Sequence, residues 1–242
     1  MFILRDDYLR LRGRSLSEGG CDEVMGVLVV RASDIAKLLS QPPEGDEISM
    51  KFGKIFEEEY ALANHIYMRS ASTGVPKKFI RKVAARLKSE GIYSRELVVR
   101  AYRAYSALLK AGVVGEKPST HFKEFKDLIF IAAQPDLYNS STGTYYEFKL
   151  YPINDYARTQ SRVFAWVLEK PIVLVGLKEM PNGYFDVEKE VINPPETLDV
   201  SPEDLKKVAR TEEFCKDLKI PVHMFMKYMI RYPYEFDEEL TP

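Results

Sequence analysis

Asp136, Glu147 and Lys149 are the residues whose types and spacing best suit chemistry, set in Pro135-Asp136 and in Tyr145-Tyr146-Glu147-Phe148-Lys149. Side chains along a strand alternate between faces. Glu147 and Lys149 therefore share one face with Tyr145 and Tyr151, about 7 Å apart along the strand, while Tyr146, Phe148 and Leu150 share the other. A hairpin that sets the first face beside Asp136 gathers two carboxylates and an ammonium in a small volume. Carboxylates so placed repel each other, and a divalent cation resolves the conflict. Hard oxygen ligands suit Mg²⁺ or Mn²⁺, which keep several waters and bind one or two carboxylates together with a substrate phosphate. The lysine can then polarise or deprotonate a metal-bound water, or neutralise charge on a phosphate in the transition state. The plain alternative is a solvated strand face whose Glu/Lys pair contributes little.

The elements that must position these residues follow from the pattern around them. Leu128 to Ala133 reads as a buried strand ending at Asp136, where Pro135 removes a ladder donor. Tyr138 to Thr144, with Asn139 and Gly143, supplies turn chemistry, and Thr144 to Tyr151 alternates as the second strand of a hairpin. Thr120 to Lys126 precedes them as the first sheet strand. Downstream, Asn154 or Asp155 caps a helix reaching Glu169, whose stripe of Tyr156, Val163, Phe164 and Val167 encloses Gln160. A buried amide left unpaired costs about 1–3 kcal/mol, so Gln160 must find a partner, either nearby backbone or the site itself. Pro171 to Leu177 is a continuous apolar run of the kind buried in an α/β sheet, and a charged hairpin at Tyr184 to Ile192 follows Asn182-Gly183.

Upstream, Val24 to Val30 suits a strand, and Ser33 is placed to cap a helix from Asp34 to Leu39. Met50 to Arg69 reads as a long helix whose stripe includes Phe52, Ile55, Phe56, Tyr60 and Ala63, interrupted by Glu57, Glu58 and Glu59. Gly53 inside that helix costs up to about 1 kcal/mol relative to alanine, which points to close packing or to room for a ligand. Two further helices, Lys77 to Glu90 and Arg95 to Ala111 with Ser94 as cap, form a hairpin. Near the end, Ser201 to Leu218 reads as a polar helix and Val222 to Arg231 as a short apolar one.

Composition bounds the function. The chain has 242 residues, 45% of them hydrophobic, enough for a sizeable core, and a net charge of -1. That near-neutrality hides an asymmetry. From Pro76 to Gly112 ten basic residues face two acidic ones, a local charge of +8 that leaves -9 for the remainder. One face is thus suited to a polyanion, unless the charge is an ordinary solvated helix surface. No run of about 18 apolar residues is present, and Met1 to Arg14 lacks the apolar stretch of a signal peptide, so an intracellular (cytoplasmic) protein is expected. Cys21 and Cys215 lack metal-ligand spacing, and His65, His121 and His223 form no grouping, which argues against zinc. A Walker glycine loop, a Gly-x-Ser-x-Gly elbow and internal repeats are all lacking, which removes support for a nucleotide hydrolase or serine esterase.

In this order, the acidic helix with its glycine, the Pro-Asp strand, the Glu-x-Lys strand and the Gln160 helix resemble the PD-(D/E)XK nuclease superfamily, most closely its RecB-like branch without the iron-sulfur cysteines. The resemblance spans roughly Arg31 to Leu177. It implies an α/β, restriction-endonuclease-like core with a mixed central sheet flanked by helices. It further implies a single nuclease domain over 1–242, with the core at about 31–192, a basic helical insertion at about 76–117 and C-terminal helices at 201–231. Asp136 and Glu147 would then hold Mg²⁺ or Mn²⁺ with the carbonyl of Phe148, Lys149 would orient or activate the water, and Gln160 would steady the shell or touch substrate. A helix ligand four residues after a glycine matches Glu57 after Gly53, whereas a helical wheel puts Glu59 nearer the middle of the apolar stripe. Lys78, Arg81, Lys82, Arg86 and Arg158 are the expected contacts to DNA. The implied activity is metal-dependent cleavage of DNA, by exonuclease action on single strands or ends. The alternatives are a structure-selective endonuclease and an inactive nuclease-derived scaffold in a repair or antiviral complex.

Overall fold

The computed structural model describes residues 28–70, 75–126, 129–210 and 235–236. Among them are six helices and eight strands in a mixed α/β arrangement, and the chain divides into two compact units. The expected helix at Val222–Arg231, residues 211–218 of the expected polar helix, residues 24–27 of the first strand and Leu128 all lie outside the described residues.

The first unit is built on a sheet of β1 (Leu28–Arg31), β3 (Ile129–Ala133), β2 (Thr120–Lys126) and β8 (Glu235–Phe236), in that spatial order. Strand β3 runs parallel to β1 and antiparallel to β2, with Val29 opposite Phe130 and Phe122 opposite Ala132. Every residue of β3 is buried, as a continuous apolar run demands of a central strand. β1 passes directly into α1 (Ala32–Leu39), so Ser33 lies inside that helix and does not cap it. Ser201 caps α6 (Pro202–Val208), accepting from the Asp204 N–H at 3.1 Å. That helix ends where Ala209 turns extended, ten residues before the expected Leu218.

The second unit holds α2 (Glu47–Ser70), α3 (Val75–Ser89), α4 (Arg95–Lys110), α5 (Asp155–Leu168) and a second sheet. Its strands lie in the order β4 (Leu137–Asn139), β5 (Thr144–Lys149), β6 (Ile172–Glu179), β7 (Phe185–Ile192). β5 is parallel to β6, joined through α5, and antiparallel to β4, while Tyr184 to Ile192, expected as a hairpin of its own, supplies the single strand β7, which pairs antiparallel with β6 across the Asn182-Gly183 turn. Ser94 caps α4 by accepting from Leu97 N–H at 3.0 Å, and Asn154, of the two candidates, caps α5 by accepting from Ala157 N–H at 2.9 Å.

Among the described residues, two four-stranded mixed sheets therefore stand where a single central sheet is expected. The Pro-Asp run does not form the hairpin with the Glu-x-Lys strand. Instead β3 pairs on both edges within the first sheet, and the three-residue β4, which begins after Asp136, takes the place beside β5. Pro135 has no N–H to continue a ladder, so the break falls between the two strands.

One aromatic core in the second unit ties the helices to β5. Phe148 packs edge-on against Phe56 at 6.1 Å and against Tyr60 at 5.3 Å, Phe56 meets Phe79, and Phe79 stacks on Tyr105 at 4.6 Å. The α3–α4 hairpin thus buries its stripes, including Val83, Leu87, Ala104 and Leu108, in the same core as α2 and the sheet. Buried aromatic pairs of this geometry add about 0.5–1.5 kcal/mol each beyond the area they bury. Phe56 is anchored there, and this directs the next residue, Glu57.

Candidate functional site

The site begins with the backbone around Pro135. The β4–β5 register sets Leu137 opposite Tyr146, so the next ladder position brings Asp136 to Glu147. Asp136 Oδ2 accepts the Phe148 N–H at 2.8 Å. Lys149 Nζ donates to Glu147 Oε1 at 2.5 Å, and Glu147 and Lys149 are only 1% and 9% exposed. Glu147 Oε2 is buried without a hydrogen-bond partner. This is no solvated strand face, because β5 is covered on both sides.

Electrostatics follow from that burial. Desolvation first, and the charge of Asp136 next, push the Glu147 carboxyl well above the usual range against the pull of Lys149. Asp136 is raised by burial too, opposed by Lys149, by the Phe148 N–H and by the Glu147 side chain. Glu57 is pushed up to about 8 by burial and by Asp136. Burial works against the charge on Lys149, but Glu147, Asp136 and Glu57 together overcome it and raise its pKa well above the ordinary value. At neutral pH the lysine is an ammonium among carboxyls that compete for protons.

The structure brings Glu57, Asp136, Glu147 and Lys149 into one electrostatic group and turns Glu59 elsewhere. Glu59 is buried and faces Arg86 of α3 at 3.5 Å, while the same guanidinium donates to Glu58 at 2.5 Å. Gly53 is not demanded by packing, since a Cβ there meets nothing within 4 Å. The Phe148 peptide lies at the cluster through its N–H, and its ring lies in the aromatic core. Gln160 is buried on α5, but no hydrogen bond joins it to Glu147 or Lys149 among the described residues.

Of the expected nucleic-acid contacts, Lys78, Arg81 and Lys82 are exposed on α3, a helix that carries six basic residues and no acidic one. Arg86 is held by Glu58 and Glu59. Arg158 is held by Glu190 at 2.9 Å and Asp155 at 3.1 Å. Two residues at the site escaped the sequence reading of candidates. Tyr151, raised to about 12 by burial first, continues the Glu147–Lys149 face, and strict alternation signals it. Lys117 precedes β2 by three residues and is felt electrostatically by Asp136, a placement that no local pattern signals.

Among the described residues no three or more His, Cys, Asp or Glu side chains stand together as a ready ion cage. The donor chemistry nevertheless fits a hard divalent cation. An orphaned buried carboxylate oxygen on Glu147, with Asp136 beside it and Glu57 coupled to both electrostatically, is an oxygen-rich set with charge to be neutralised. Comparison with protein-family models, curated proteins and solved structures finds no match to the chain. Among the described residues no helix is long and apolar enough to cross a membrane.

Proposed function

We propose that this protein is a metal-dependent deoxyribonuclease of the PD-(D/E)XK type. The observation that carries the reading is the pair of buried Glu147 and Lys149 beside the half-buried Asp136, with an unpartnered Glu147 Oε2 and with Glu57 coupled to them electrostatically. Unpaired acids in such a place cost stability, and perturbed acids of this kind concentrate at functional sites. Asp136, Glu147 and Glu57 would hold Mg²⁺ or Mn²⁺, with the Phe148 carbonyl as a further donor. The ion supplies Lewis acidity toward a phosphate oxygen and a bound water of lowered pKa.

The chain's own residues set the rest. Lys149, kept charged by three carboxyls, serves as a donor that orients water and neutralises phosphate charge, a role its raised pKa favours over that of a base. The Phe148 N–H fixes Asp136, and the exposed Lys78, Arg81 and Lys82 offer the DNA backbone a cationic helix face. Gln160 keeps its proposed place as a support of this shell. Exonuclease action on single strands or ends is the preferred mode. Cleavage of closed circular DNA would replace it with the endonuclease reading.

One observation favours the scaffold instead: Lys149 already compensates Glu147, so the cluster can persist as a buried ion pair without an ion. The deciding experiment compares wild type and Asp136→Asn on linear single-stranded, linear duplex and circular DNA, with Mn²⁺ and after EDTA treatment. Mn²⁺-dependent cleavage by wild type alone supports the nuclease. No cleavage by wild type on any substrate with Mn²⁺ leaves the scaffold.

A further inference from the structure

Several cations of the second unit are already paired. Lys149 is bound to Glu147, Arg86 to Glu58 and Glu59, and Arg158 to Glu190 and Asp155. Lys117 is different. Among the described residues its exposed ammonium takes part in no ion pair or hydrogen bond.

Its backbone, by contrast, is fixed on both sides. Glu116 and Tyr138 form an isolated antiparallel bridge, Glu116 N–H to Tyr138 O at 2.9 Å and Tyr138 N–H to Glu116 O at 2.7 Å. Gly115 makes this approach feasible, for a Cβ there would stand 2.6 Å from Tyr138 O. On the far side the Gln134 side-chain amide donates to Pro118 O at 2.9 Å. Lys117 is thus clamped between two tethers, to Tyr138 and to Gln134, which flank Asp136 in the chain. Long side chains on fixed backbones lose less freedom on binding than those on free loops.

We propose that Lys117 is a substrate-binding residue that takes a phosphate oxygen of a single-stranded nucleic acid at the edge of the acid cluster. The assignment rests on the nuclease reading for the identity of the anion. A lone ammonium on a rigid edge suits a phosphate as a point charge, and it offsets negative charge at Asp136 that an approaching polyanion meets.

The test uses full-length protein and a fluorescent single-stranded oligothymidylate, with affinity followed by anisotropy in EDTA across a salt series. Loss of one phosphate contact should make the slope of log K against log salt shallower by about 0.7 in Lys117→Gln. Lys117→Arg should keep the wild-type slope, and so should Lys178→Gln, an equal charge change on β6. Melting temperature should not move, since neither tether uses the Lys117 side chain. A wild-type slope in Lys117→Gln, or an equal loss in Lys178→Gln, overturns the assignment. Were wild type to cut DNA with Mn²⁺ while Lys117→Gln kept its slope, only the lysine's role would fall. Absence of both binding and cleavage in wild type removes the nuclease reading and this assignment together, and a shallower slope without cleavage supports the lysine within a scaffold.

Discussion

Lys149 and Glu147 form a pair in which each member depends on the other, and their burial sets what a substitution does. Removing one partner of a buried pair costs about 3–5 kcal/mol when the other stays charged. Glu147 can escape that cost by binding a proton. Lys149→Met, which keeps the aliphatic stem, should therefore abolish cleavage and lower the melting temperature more at pH 9 than at pH 6. Equal losses at both pH values in thermal melts would mean that Glu147 is not the group relieved. Asp136→Asn keeps an oxygen to accept the Phe148 N–H but removes a charge beside Glu147 and Glu57. Its metal-free stability at pH 8 should equal or exceed that of wild type. Millimolar Mn²⁺ should raise the melting temperature of wild type by mass action and leave the variant unmoved. A Mn²⁺ response of equal size in both would take Asp136 out of the ion's ligands.

At the scale of elements, helices α2 and α3 divide the basic residues into two jobs. Arg86 joins the helices through Glu58 and the buried Glu59, whereas Lys78, Arg81 and Lys82 face solvent. Arg86→Ala should destabilise by about 1 kcal/mol or more, because the buried Glu59 loses its guanidinium partner, and should hardly change oligonucleotide affinity. The triple change of Lys78, Arg81 and Lys82 to Glu should do the reverse, weakening binding and flattening its salt dependence. Denaturant melts alongside anisotropy separate the two, and a stability loss confined to the triple variant would refute the division. Strand β6 is similarly constrained where Gly176 lies opposite Lys149: an added Cβ would stand 2.7 Å from Ile153 N. Gly176→Ala should cost about 1–3 kcal/mol as overpacking. Gly53→Ala, with open space around it, should stabilise the metal-free protein by about 0.5–1 kcal/mol.

For the whole molecule, the raised carboxyls predict how stability varies with pH. An acid whose pKa is higher folded than unfolded binds more protons in the folded state between the two values, so folding weakens as pH rises through that window. Glu57, raised from an ordinary value to about 8, sets the window at roughly pH 4.5 to 8, and Glu147 and Asp136 act in the same direction. A tenfold change in proton affinity is worth about 1.4 kcal/mol, which for a chain of this size corresponds to roughly 3–6 °C in melting temperature. The metal-free protein should thus melt at a lower temperature at pH 8 than at pH 5, and saturating Mn²⁺ should shrink that difference. A melting temperature that rose steadily over this range without metal would contradict the raised carboxyls of this cluster.

What the sequence by itself determined was local: which residues share a face and where elements start. The alternation placed Glu147 and Lys149 together against Phe148, apolar stripes marked the buried sides of α2, α3 and α4, and Ser94 and Asn154, though not Ser33, proved to be caps. These features depend on periods of 2 and 3.6 residues and on bonds spanning three positions, all of which a linear pattern records. Only the tertiary structure decided the partners. It divided one expected sheet into two at Pro135, coupled Glu57 electrostatically to Asp136 while setting Glu59 against Arg86, and left Lys117 beside the cluster without an ion pair among the described residues. Strand pairing and the neutralisation of charge depend on groups brought together from distant parts of the chain, which no window of neighbouring residues contains.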